Sequence, residues 1–354
     1  MSQYWSQIVH ELKPYVPGEQ PRGNNIIKLN TNENPYPPSP RVIDAIVKKA
    51  DASLRRYPDP NCDALKQVLA DYYAVNRKNV FVGNGSDEVL ALSFISFFKQ
   101  SQPIFFPDIS YSFYEVYCSL FDIENVRIPL TEDFDISLSD YAQPNGGIIF
   151  PNPNAPTGML LSLNQIKKLL GRNQESVVIV DEAYIDFGGE TAIELIDDYP
   201  NLLVAQTFSK SRSLAGLRVG AALGSEGLIE GLERAKNSFN SYSLDRLAII
   251  GAVEAIRDDD YFQSTCKKVM DTRAWTIAAL SKMGFSIVPS KTNFIFIKPT
   301  GLPAGELYTR LKADNILVRY FDKPRINDYL RVTIGTDAEM HIFIEKIARI
   351  VAAV

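Results

Sequence analysis

Short apolar runs that end in polar residues recur along the first two-thirds of the chain, and segments with helical periodicity separate them. The clearest runs are V-F-V-G-N at 80–84, G-G-I-I-F at 146–150, S-V-V-I-V at 176–180 and N-L-L-V-A-Q-T-F at 201–208. Continuous apolar runs of this length are typical of parallel strands that are buried on both faces. Their alternation with helices predicts an α/β fold built on a doubly wound, mostly parallel sheet.

The length of the chain and a change of pattern near residue 244 predict more than one domain. A chain of 354 residues exceeds the size at which a single hydrophobic core stops growing. Helical periodicity runs from 244 to 283 with a break near Asp258, and short strands and helices follow it. The first residues are too rich in Pro, Gly and Asn for regular structure beyond a short helix. We predict an N-terminal arm at 1–38, a large domain at 39–245 and a smaller α+β domain at 246–354.

Composition and charge exclude several classes of protein. Hydrophobic residues make up 45% and charged residues 22% of the chain, and the net charge is -5. These values argue against disorder and against a polybasic surface for nucleic acid or membranes. Three scattered cysteines favour reduced thiols in a cytoplasmic protein, and only two histidines, His10 and His341, argue against a histidine triad or a metal site. We expect a cytoplasmic protein with small-molecule ligands, no metal, no transmembrane helix and no nucleic-acid partner.

Lys210 is the first candidate for chemistry. It emerges just past the carboxyl end of the apolar run 201–208, where open α/β sheets bind ligands. Desolvation or a neighbouring cation at that position would deprotonate its amine and make it a nucleophile. A solvated charge on a loop is the commoner role of a lone lysine, so the interpretation depends on the groups that the other strand ends supply.

The other strand ends carry groups that complement an amine. Asp181 directly follows the run 176–180, and a buried carboxylate there must be paired. G-N-G-S-D-E at 83–88 exposes backbone N–H groups at a helix N-terminus, where anions bind. Aromatic residues gather at 110–114, and Arg218 follows eight residues after the lysine. Taken alone, the carboxylate is explained as well, and the glycine-rich turn better, by a helix cap or an ion pair, but together the features form the set that pyridoxal phosphate requires.

A series of motifs carries a family resemblance along essentially the whole chain. They are P-Y-V-P-G-E-Q-P, L-N-T-N-E-N-P, R-Y-P-D, G-N-G-S-D-E, P-N-A-P-T-G, V-D-E-A-Y, S-K-S-R-S-L-A-G-L-R-V-G and L-R-V-T-I-G-T. With these motifs the chain resembles the fold-type I pyridoxal-phosphate enzymes of the class I/II aminotransferases, and the arm and two C-terminal arginines are similar to the histidinol-phosphate subgroup. The resemblance implies a homodimer with shared active sites, and an arm that packs with the small domain or the dimer partner.

The same resemblance implies a role for each cofactor-binding residue. Lys210 would form the Schiff base, Asp181 would pair with the pyridine nitrogen and Tyr184 would donate to the ring 3′-oxygen. Ala155 stands where the family usually has an asparagine, so Asn154 is expected to contact the 3′-oxygen and the substrate instead. The remaining implied contacts are a stacking ring from Tyr111, phosphate contacts from the Ser86 and Asp87 amides and from the Thr207, Ser209 and Arg218 side chains, and a contact of Tyr57 with the phosphate in the neighbouring subunit.

The substrate-binding residues are implied in the same way. Arg331 matches the arginine that binds the α-carboxylate of the amino donor, Arg319 matches a second anion-binding arginine, and Tyr15 matches an arm tyrosine that closes over the substrate. This set suits transamination between L-histidinol phosphate and 2-oxoglutarate, which yields imidazole acetol phosphate and L-glutamate. The alternatives are a broad-range or aromatic aminotransferase, a threonine-phosphate decarboxylase and a non-enzymatic cofactor-binding sensor. No role is assigned to Arg212.

Overall fold

The computed structural model describes residues 2–15, 18–20 and 26–353. Residues 16–17 and 21–25 of the predicted arm, which include part of the P-Y-V-P-G-E-Q-P motif, lie outside the described residues. Within the described ranges the predicted strands and helices are present, most of them to within a few residues.

The regular elements follow in chain order. The helices are α1 (Gln7–Glu11), α2 (Pro40–Lys49), α3 (Asp63–Tyr73), α4 (Gly85–Ser93), α5 (Phe113–Phe121), α6 (Leu163–Arg172), α7 (Glu226–Phe239), α8 (Arg246–Arg257), α9 (Asp259–Lys282), α10 (Ala304–Ala313) and α11 (Asp337–Ala352). The strands are β1 (Ile27–Lys28), β2 (Val80–Asn84), β3 (Ile104–Pro107), β4 (Asn125–Ile128), β5 (Ile148–Pro151), β6 (Val178–Asp181), β7 (Leu202–Thr207), β8 (Val219–Gly224), β9 (Ser286–Val288), β10 (Phe294–Lys298), β11 (Ile316–Leu317), β12 (Arg319–Tyr320) and β13 (Leu330–Thr333).

A seven-stranded sheet with the order β2-β8-β7-β6-β5-β3-β4 forms the centre of the larger part of the fold. The β7-β6-β5-β3-β4 pairs are parallel, whereas β8 is antiparallel to both of its neighbours. Successive residues of one strand enter different cores: Val178 and Val180 face one core, and Ile179 faces the other. Burial on both faces explains the continuous apolar runs, and the prediction of a mostly parallel α/β sheet is confirmed.

The strand β4 is absent from the sequence prediction. Its residues N-V-R-I lie at the edge of the sheet, and three of the four are exposed. An exposed edge strand needs no continuous apolar run, so the pattern that revealed the central strands carried no signal here.

A second, four-stranded antiparallel sheet with the order β12-β13-β10-β9 has its own hydrophobic core. That core combines residues of β10 and β13 with side chains of α9, α10 and α11. The predicted break in the long helical region is confirmed, because α8 ends at Arg257 and α9 begins at Asp259. Helix α8 packs on α2 and α3 and places Ala248 and Ala252 in the core of the large sheet. The three domain boundaries stay predictions.

The arm and the parallel strands meet at one edge of the large sheet. In the arm, β1 pairs in parallel with β11 to form a separate two-stranded sheet, and β11 lies directly before the strand β12 of the second sheet in the chain. In the large sheet Pro151 pairs with Asp181, and Asp181 pairs with Ala205, so β5, β6 and β7 end side by side. No helix in the ranges 2–15, 18–20 and 26–353 is both long and apolar enough to cross a membrane.

Candidate active site

A cavity of about 280 Å³ lies at this edge, between the strand ends of the large sheet, the arm and the second sheet. Lysine, carboxylate, hydroxyl, aromatic and guanidinium groups all reach it. Most residues that the sequence singled out line this cavity: Tyr15, Ser86, Asp87, Tyr111, Asp181, Tyr184, Thr207, Ser209, Lys210, Arg218, Arg319 and Arg331. Residues from five of the sequence motifs, together with Tyr111, Thr207 and Arg319, therefore share one site.

Lys210 follows β7 and turns its side chain toward the arm. Its Nζ donates a hydrogen bond to the Thr31 carbonyl at 3.2 Å and lies 5.8 Å from the centroid of the Tyr184 ring. The Asn34 amide donates to the Lys210 backbone carbonyl at 3.0 Å, which fixes the turn from the other side. The lysine is thus held within the cavity wall and does not extend into solvent as a surface charge.

Arg212 and its neighbours anchor the loop that carries the lysine. The guanidinium of Arg212 lies 3.4 Å from the centroid of the Phe262 ring and donates to the Ala255 carbonyl at 2.7 Å. The hydroxyl of Ser211 donates a short hydrogen bond to Asp186. Arg212 therefore has a structural contact that the sequence did not reveal, because its partners lie more than forty residues away.

Asp181 is a buried carboxylate with neutral hydrogen-bond partners. It is 4% exposed, and it accepts from the Tyr114 hydroxyl at 2.9 Å and from the Ala183 N–H at 3.3 Å. Burial raises the pKa of Asp181 to about 6, while both hydrogen bonds act in the opposite direction. It forms no ion pair with a cationic side chain of the described ranges. A carboxylate in this state would pair favourably with a cationic ring nitrogen.

The turn from β2 into α4 forms an anion-binding cradle with Arg218. Gly85 has a φ of +79°, and a Cβ there would lie 2.6 Å from Arg218 Nη2. A Cβ on Gly220 would lie 2.4 Å from the carbonyl carbon of Gly85, so both positions require glycine. Arg218 is oriented by an ion pair of 2.8 Å with Asp87. The helix N-terminus and the guanidinium together suit a phosphate group.

Two tyrosines on the cavity wall are oriented by hydrogen bonds. The Tyr111 hydroxyl donates to Asp87 at 3.0 Å, and burial raises the pKa of Tyr111, so it remains a protonated donor. The Tyr184 hydroxyl accepts from the Asn32 amide at 2.9 Å. Both rings thus have a fixed position in the wall of the cavity.

Arg319 and Arg331 occupy directly opposed positions of β12 and β13. Arg331 packs between the rings of Phe294 and Phe321, with its guanidinium carbon 5.3 and 5.5 Å from their centroids. Its Nη2 donates to the Asn30 carbonyl at 3.0 Å, but its buried Nε has no partner among the residues that the structure describes. Burial lowers the pKa of Arg331, and the charge of Arg319 adds to this effect. Opposed like charges are unfavourable unless an anion joins them, so the pair marks an anion site.

Two of the sequence-predicted residues do not line this cavity. The Asn154 amide nitrogen donates to the Ile109 carbonyl and to Thr157 Oγ1 at 3.0 and 2.9 Å, and Ala155 presents its methyl group instead. Tyr57 is 77% exposed and stacks on Tyr242 with 4.6 Å between ring centroids. The proposed role of Asn154 stays a prediction, and so does the contact of Tyr57 with a neighbouring subunit.

Several residues that complete the site have no role predicted from the sequence. Tyr114 lies three residues after Tyr111 in a noted aromatic cluster, and that spacing was the available signal. Asn30, Thr31 and Asn32 line the cavity and belong to the motif L-N-T-N-E-N-P, which contributed to the family resemblance without a role for any of its residues. Their partners lie far away in sequence, so local pattern could not assign their contacts.

Comparison with known proteins places this geometry in a family. The model of the family "Aminotransferase class I and II" matches residues 24–347. The chain is 60% identical over 339 residues to histidinol-phosphate aminotransferase 1 of Hydrogenovibrio crunogenus, covering 96% of this chain and 95% of the relative. It is 57% identical to histidinol-phosphate aminotransferase of Clostridium botulinum (strain Kyoto) over 99% of both chains. The crystal structure of histidinol-phosphate aminotransferase from Sinorhizobium meliloti in complex with pyridoxal-5'-phosphate superposes with a TM-score of 0.89 at 23% identity, covering 100% of this chain and 99% of the other.

Proposed function

The chain belongs to the class I and II aminotransferase family, and from this premise we propose that it transfers the amino group between L-histidinol phosphate and 2-oxoglutarate, with pyridoxal phosphate as cofactor. One observation carries the assignment: the cavity that holds Lys210 also holds the opposed pair Arg319 and Arg331. Neither arginine forms an ion pair with a carboxylate in the part of the chain that the structure describes. A lysine beside two guanidinium groups that no carboxylate of the described ranges neutralises suits small anionic amines and oxo acids.

The residues of the cavity fit pyridoxal phosphate. Asp181 is a buried carboxylate that pairs with no cationic side chain in the described ranges, and the glycines of the turn let Arg218 lie against the helix N-terminus that would receive a phosphate. Lys210 Nζ would hold the aldehyde carbon, Tyr184 would donate to the ring 3′-oxygen and Tyr111 would lie against the ring. The further phosphate contacts would come from the amides of Ser86 and Asp87 and from the hydroxyls of Thr207 and Ser209. When bound, the cofactor supplies an electron sink conjugated to the substrate's amino group.

The chain's own residues would supply binding and proton transfer. Lys210 would act at Nζ as the general base that takes the α-proton of the substrate and as the general acid that returns it, and pyridoxal phosphate would supply the carbon that receives the substrate's amine. Asp181 would pair with a protonated ring nitrogen, because its carboxylate forms no ion pair with a cationic side chain in the described ranges. Thr31 is placed to keep the amine near the cavity wall through its carbonyl. The same groups act in reverse when the second substrate accepts the amino group.

The two arginines and the arm would select the substrate. Arg331 would bind the carboxylate of glutamate, or in turn the phosphate of histidinol phosphate, through the guanidinium N–H groups that the Asn30 carbonyl does not occupy. Arg319, opposite it, adds a second positive charge that suits a phosphate ester. The ring of Tyr15 lies 5.0 Å from that of Phe113 and covers the cavity from the arm.

A second candidate is an aminotransferase for aromatic amino acids. The aromatic rings of Tyr15, Tyr111 and Phe321 line the cavity, and they would accept a phenyl ring as readily as an imidazole. The phosphate-sized positive site favours histidinol phosphate, because phenylalanine would use only one of the two guanidinium groups.

We also infer that the protein acts as a homodimer in which Tyr57 serves the neighbouring site. Its exposed ring stacks on Tyr242, and Phe239, three residues before Tyr242 in the chain, is 82% exposed. Helix α2 adds Ile43 and Val47, which are exposed on one face. Such an apolar surface is typical of an interface. The cytoplasm is the proposed location, which the three buried free cysteines support.

A steady-state assay tests the assignment. The purified protein, loaded with pyridoxal phosphate, should produce glutamate from 2-oxoglutarate and L-histidinol phosphate, and Lys210→Ala should lose multiple turnover together with the visible absorbance of the bound cofactor. Multiple turnover by the Lys210→Ala variant would contradict the role of the lysine. Absence of glutamate formation by the loaded wild-type protein would contradict the substrate.

A further inference from the structure

Four hydrogen bonds fix Asn32, a residue that lines the cavity and has no assigned role. Its backbone N–H donates to Thr333 Oγ1 at 3.0 Å, and its carbonyl accepts from Asn293 Nδ2 at 3.0 Å. Its side-chain Oδ1 accepts from the Thr333 hydroxyl at 3.1 Å, and its Nδ2 donates to the Tyr184 hydroxyl oxygen at 2.9 Å. The residue is 1% exposed and has a φ of +56°, a conformation that asparagine tolerates better than most residues.

The donors and acceptors of this network determine which way the carboxamide points. The Thr333 oxygen accepts from the backbone N–H of Asn32, and its single proton is donated to Asn32 Oδ1; a flipped amide would leave that proton without this acceptor. The amide nitrogen of Asn32 is therefore the group that faces Tyr184. Thr333 thus fixes the orientation of the Asn32 side chain, although the two residues are 301 positions apart in the sequence.

The direction of the hydrogen bond to Tyr184 has a consequence for its proton. A phenol has a single proton to donate. Because the oxygen of Tyr184 accepts from Asn32, that proton remains available for another acceptor. No side chain or carbonyl in the described ranges accepts it, and Tyr184 lines the cavity. The proton is therefore free for a group bound inside the cavity.

We propose that Asn32 is a positioning residue that holds Tyr184 as a hydrogen-bond donor toward the ring 3′-oxygen of the cofactor. The proposal rests on the proposed function. A donor at that oxygen stabilises its negative charge, and this weakens the affinity of the adjacent lysine–cofactor link for a proton. Asn32 thus controls, through Tyr184, the pH at which the link loses its proton.

Asn154 is not placed to orient Tyr184 as Asn32 does. The Asn154 amide nitrogen is already held by the Ile109 carbonyl and Thr157, and the residue does not line the cavity. Ala155, which does line it, has no polar side-chain group to offer. In the described ranges, Asn32 is the one asparagine whose side chain forms a hydrogen bond with Tyr184.

The test is a pH titration of the visible absorbance of the loaded holoenzyme, free of substrate. Four proteins are compared: wild type, Asn32→Gly, Tyr184→Phe and the double variant. Glycine removes the carboxamide and tolerates the positive φ. Asn315→Gly is the matched control, because Asn315 also has a positive φ, +60°, but is exposed and does not line the cavity.

We expect Asn32→Gly to raise the midpoint of the absorbance titration by roughly half a pH unit to one unit when Tyr184 is present. In the Tyr184→Phe background the same change should shift it by less than about 0.2 unit, because the hydroxyl through which it acts is missing. The control should match wild type. Thr333→Val, which removes the hydroxyl, should also raise the midpoint, whereas Thr333→Ser, which retains the hydroxyl, should have the midpoint of wild type. These two variants test the same network if Asn32→Gly does not fold.

Two results overturn the role of Asn32 while leaving the proposed function intact. One is a wild-type midpoint in Asn32→Gly, with wild-type turnover of histidinol phosphate in the parent protein. The other is an equal shift in both backgrounds, which would mean that Asn32 acts without Tyr184. A wild-type protein that neither binds the cofactor nor transaminates would instead refute the proposed function, and the proposal about Asn32 with it.

Discussion

The hydroxyl of Tyr114 donates a 2.9 Å hydrogen bond to Oδ2 of Asp181, and both side chains are buried. Burial, reinforced by the charge of Asp181, raises the pKa of Tyr114 far above its ordinary value, so the tyrosine stays a donor at every working pH. Tyr114 in turn favours the ionised form of Asp181, which burial disfavours. The carboxylate that is proposed to hold the ring nitrogen is thus supported by a residue outside the cavity lining.

Tyr114→Phe should therefore destabilise the apoprotein, because it leaves a buried carboxylate short of one hydrogen bond. At pH 8 the loss should be about 1.5–3 kcal/mol, the usual range for a hydrogen bond to a charged group. In an Asp181→Asn background the same change should cost about 1 kcal/mol or less, since the bond is then between neutral groups. Urea unfolding of the four proteins measures the coupling, and equal losses in both backgrounds would contradict a charge-assisted bond.

Asp181→Asn alone should stabilise the apoprotein at neutral and alkaline pH. The pKa of Asp181 is raised to about 6 in the folded protein, so the folded state binds its proton more tightly than the unfolded state does. The stability linked to that proton is present at low pH and is lost as the pH rises through about 6. The variant should gain roughly 3 kcal/mol over wild type at pH 8 and almost nothing at pH 4, because a two-unit shift corresponds to that energy. Urea midpoints at the two pH values measure the difference, and a gain that grows toward low pH would contradict the assignment.

Arg331→Lys should lower kcat/KM for histidinol phosphate by roughly 100-fold, because an ammonium cannot form the paired hydrogen bonds of a guanidinium. Arg319→Lys should lower it by about tenfold, since that side chain is held by fewer contacts. Arg310→Lys is the matched control: it lies on α10, pairs with Glu306 and is remote from the cavity lining. Steady-state kinetics measures these changes, and a wild-type kcat/KM in Arg331→Lys would contradict a role of this arginine in substrate binding.

The shared active site can be tested by mixing two inactive variants. Lys210→Ala lacks the amine, and Tyr57→Ala lacks the ring proposed to reach the neighbouring cofactor. Random pairing makes half of the dimers hybrids with one complete site each, so the mixture should recover about a quarter of wild-type activity at limiting cofactor. If Tyr57 serves its own subunit, no hybrid contains a complete site and the mixture stays inactive.

The central strands and their ends were predictable from the sequence because burial on both faces leaves a continuous apolar run. Lys210 and Asp181 could be located for this reason: each follows such a run directly, and parallel strands end at the same edge. The anion-binding cradle beside Gly85 was also predictable from the sequence, because a glycine-rich turn before a helix is a local pattern.

The rest of the site depends on pairings that no local pattern records. Arg319 and Arg331 are opposed only because β12 and β13 pair in one register. Asn32 is fixed by Thr333, 301 residues away, and Arg212 by a ring and a carbonyl of later helices. The edge strand β4 and the anchoring tyrosine Tyr114 belong to the same class, because solvent exposure or a distant partner determines their role.

The most direct test of the central claim is a single half-reaction monitored by absorbance. The protein loaded with pyridoxal phosphate is mixed, without any oxo acid, with L-histidinol phosphate, L-phenylalanine or L-threonine phosphate. We predict that histidinol phosphate bleaches the visible band fastest, by one equivalent per site, and that 2-oxoglutarate restores it. Bleaching by phenylalanine but not by histidinol phosphate would contradict the account, and so would release of carbon dioxide from threonine phosphate.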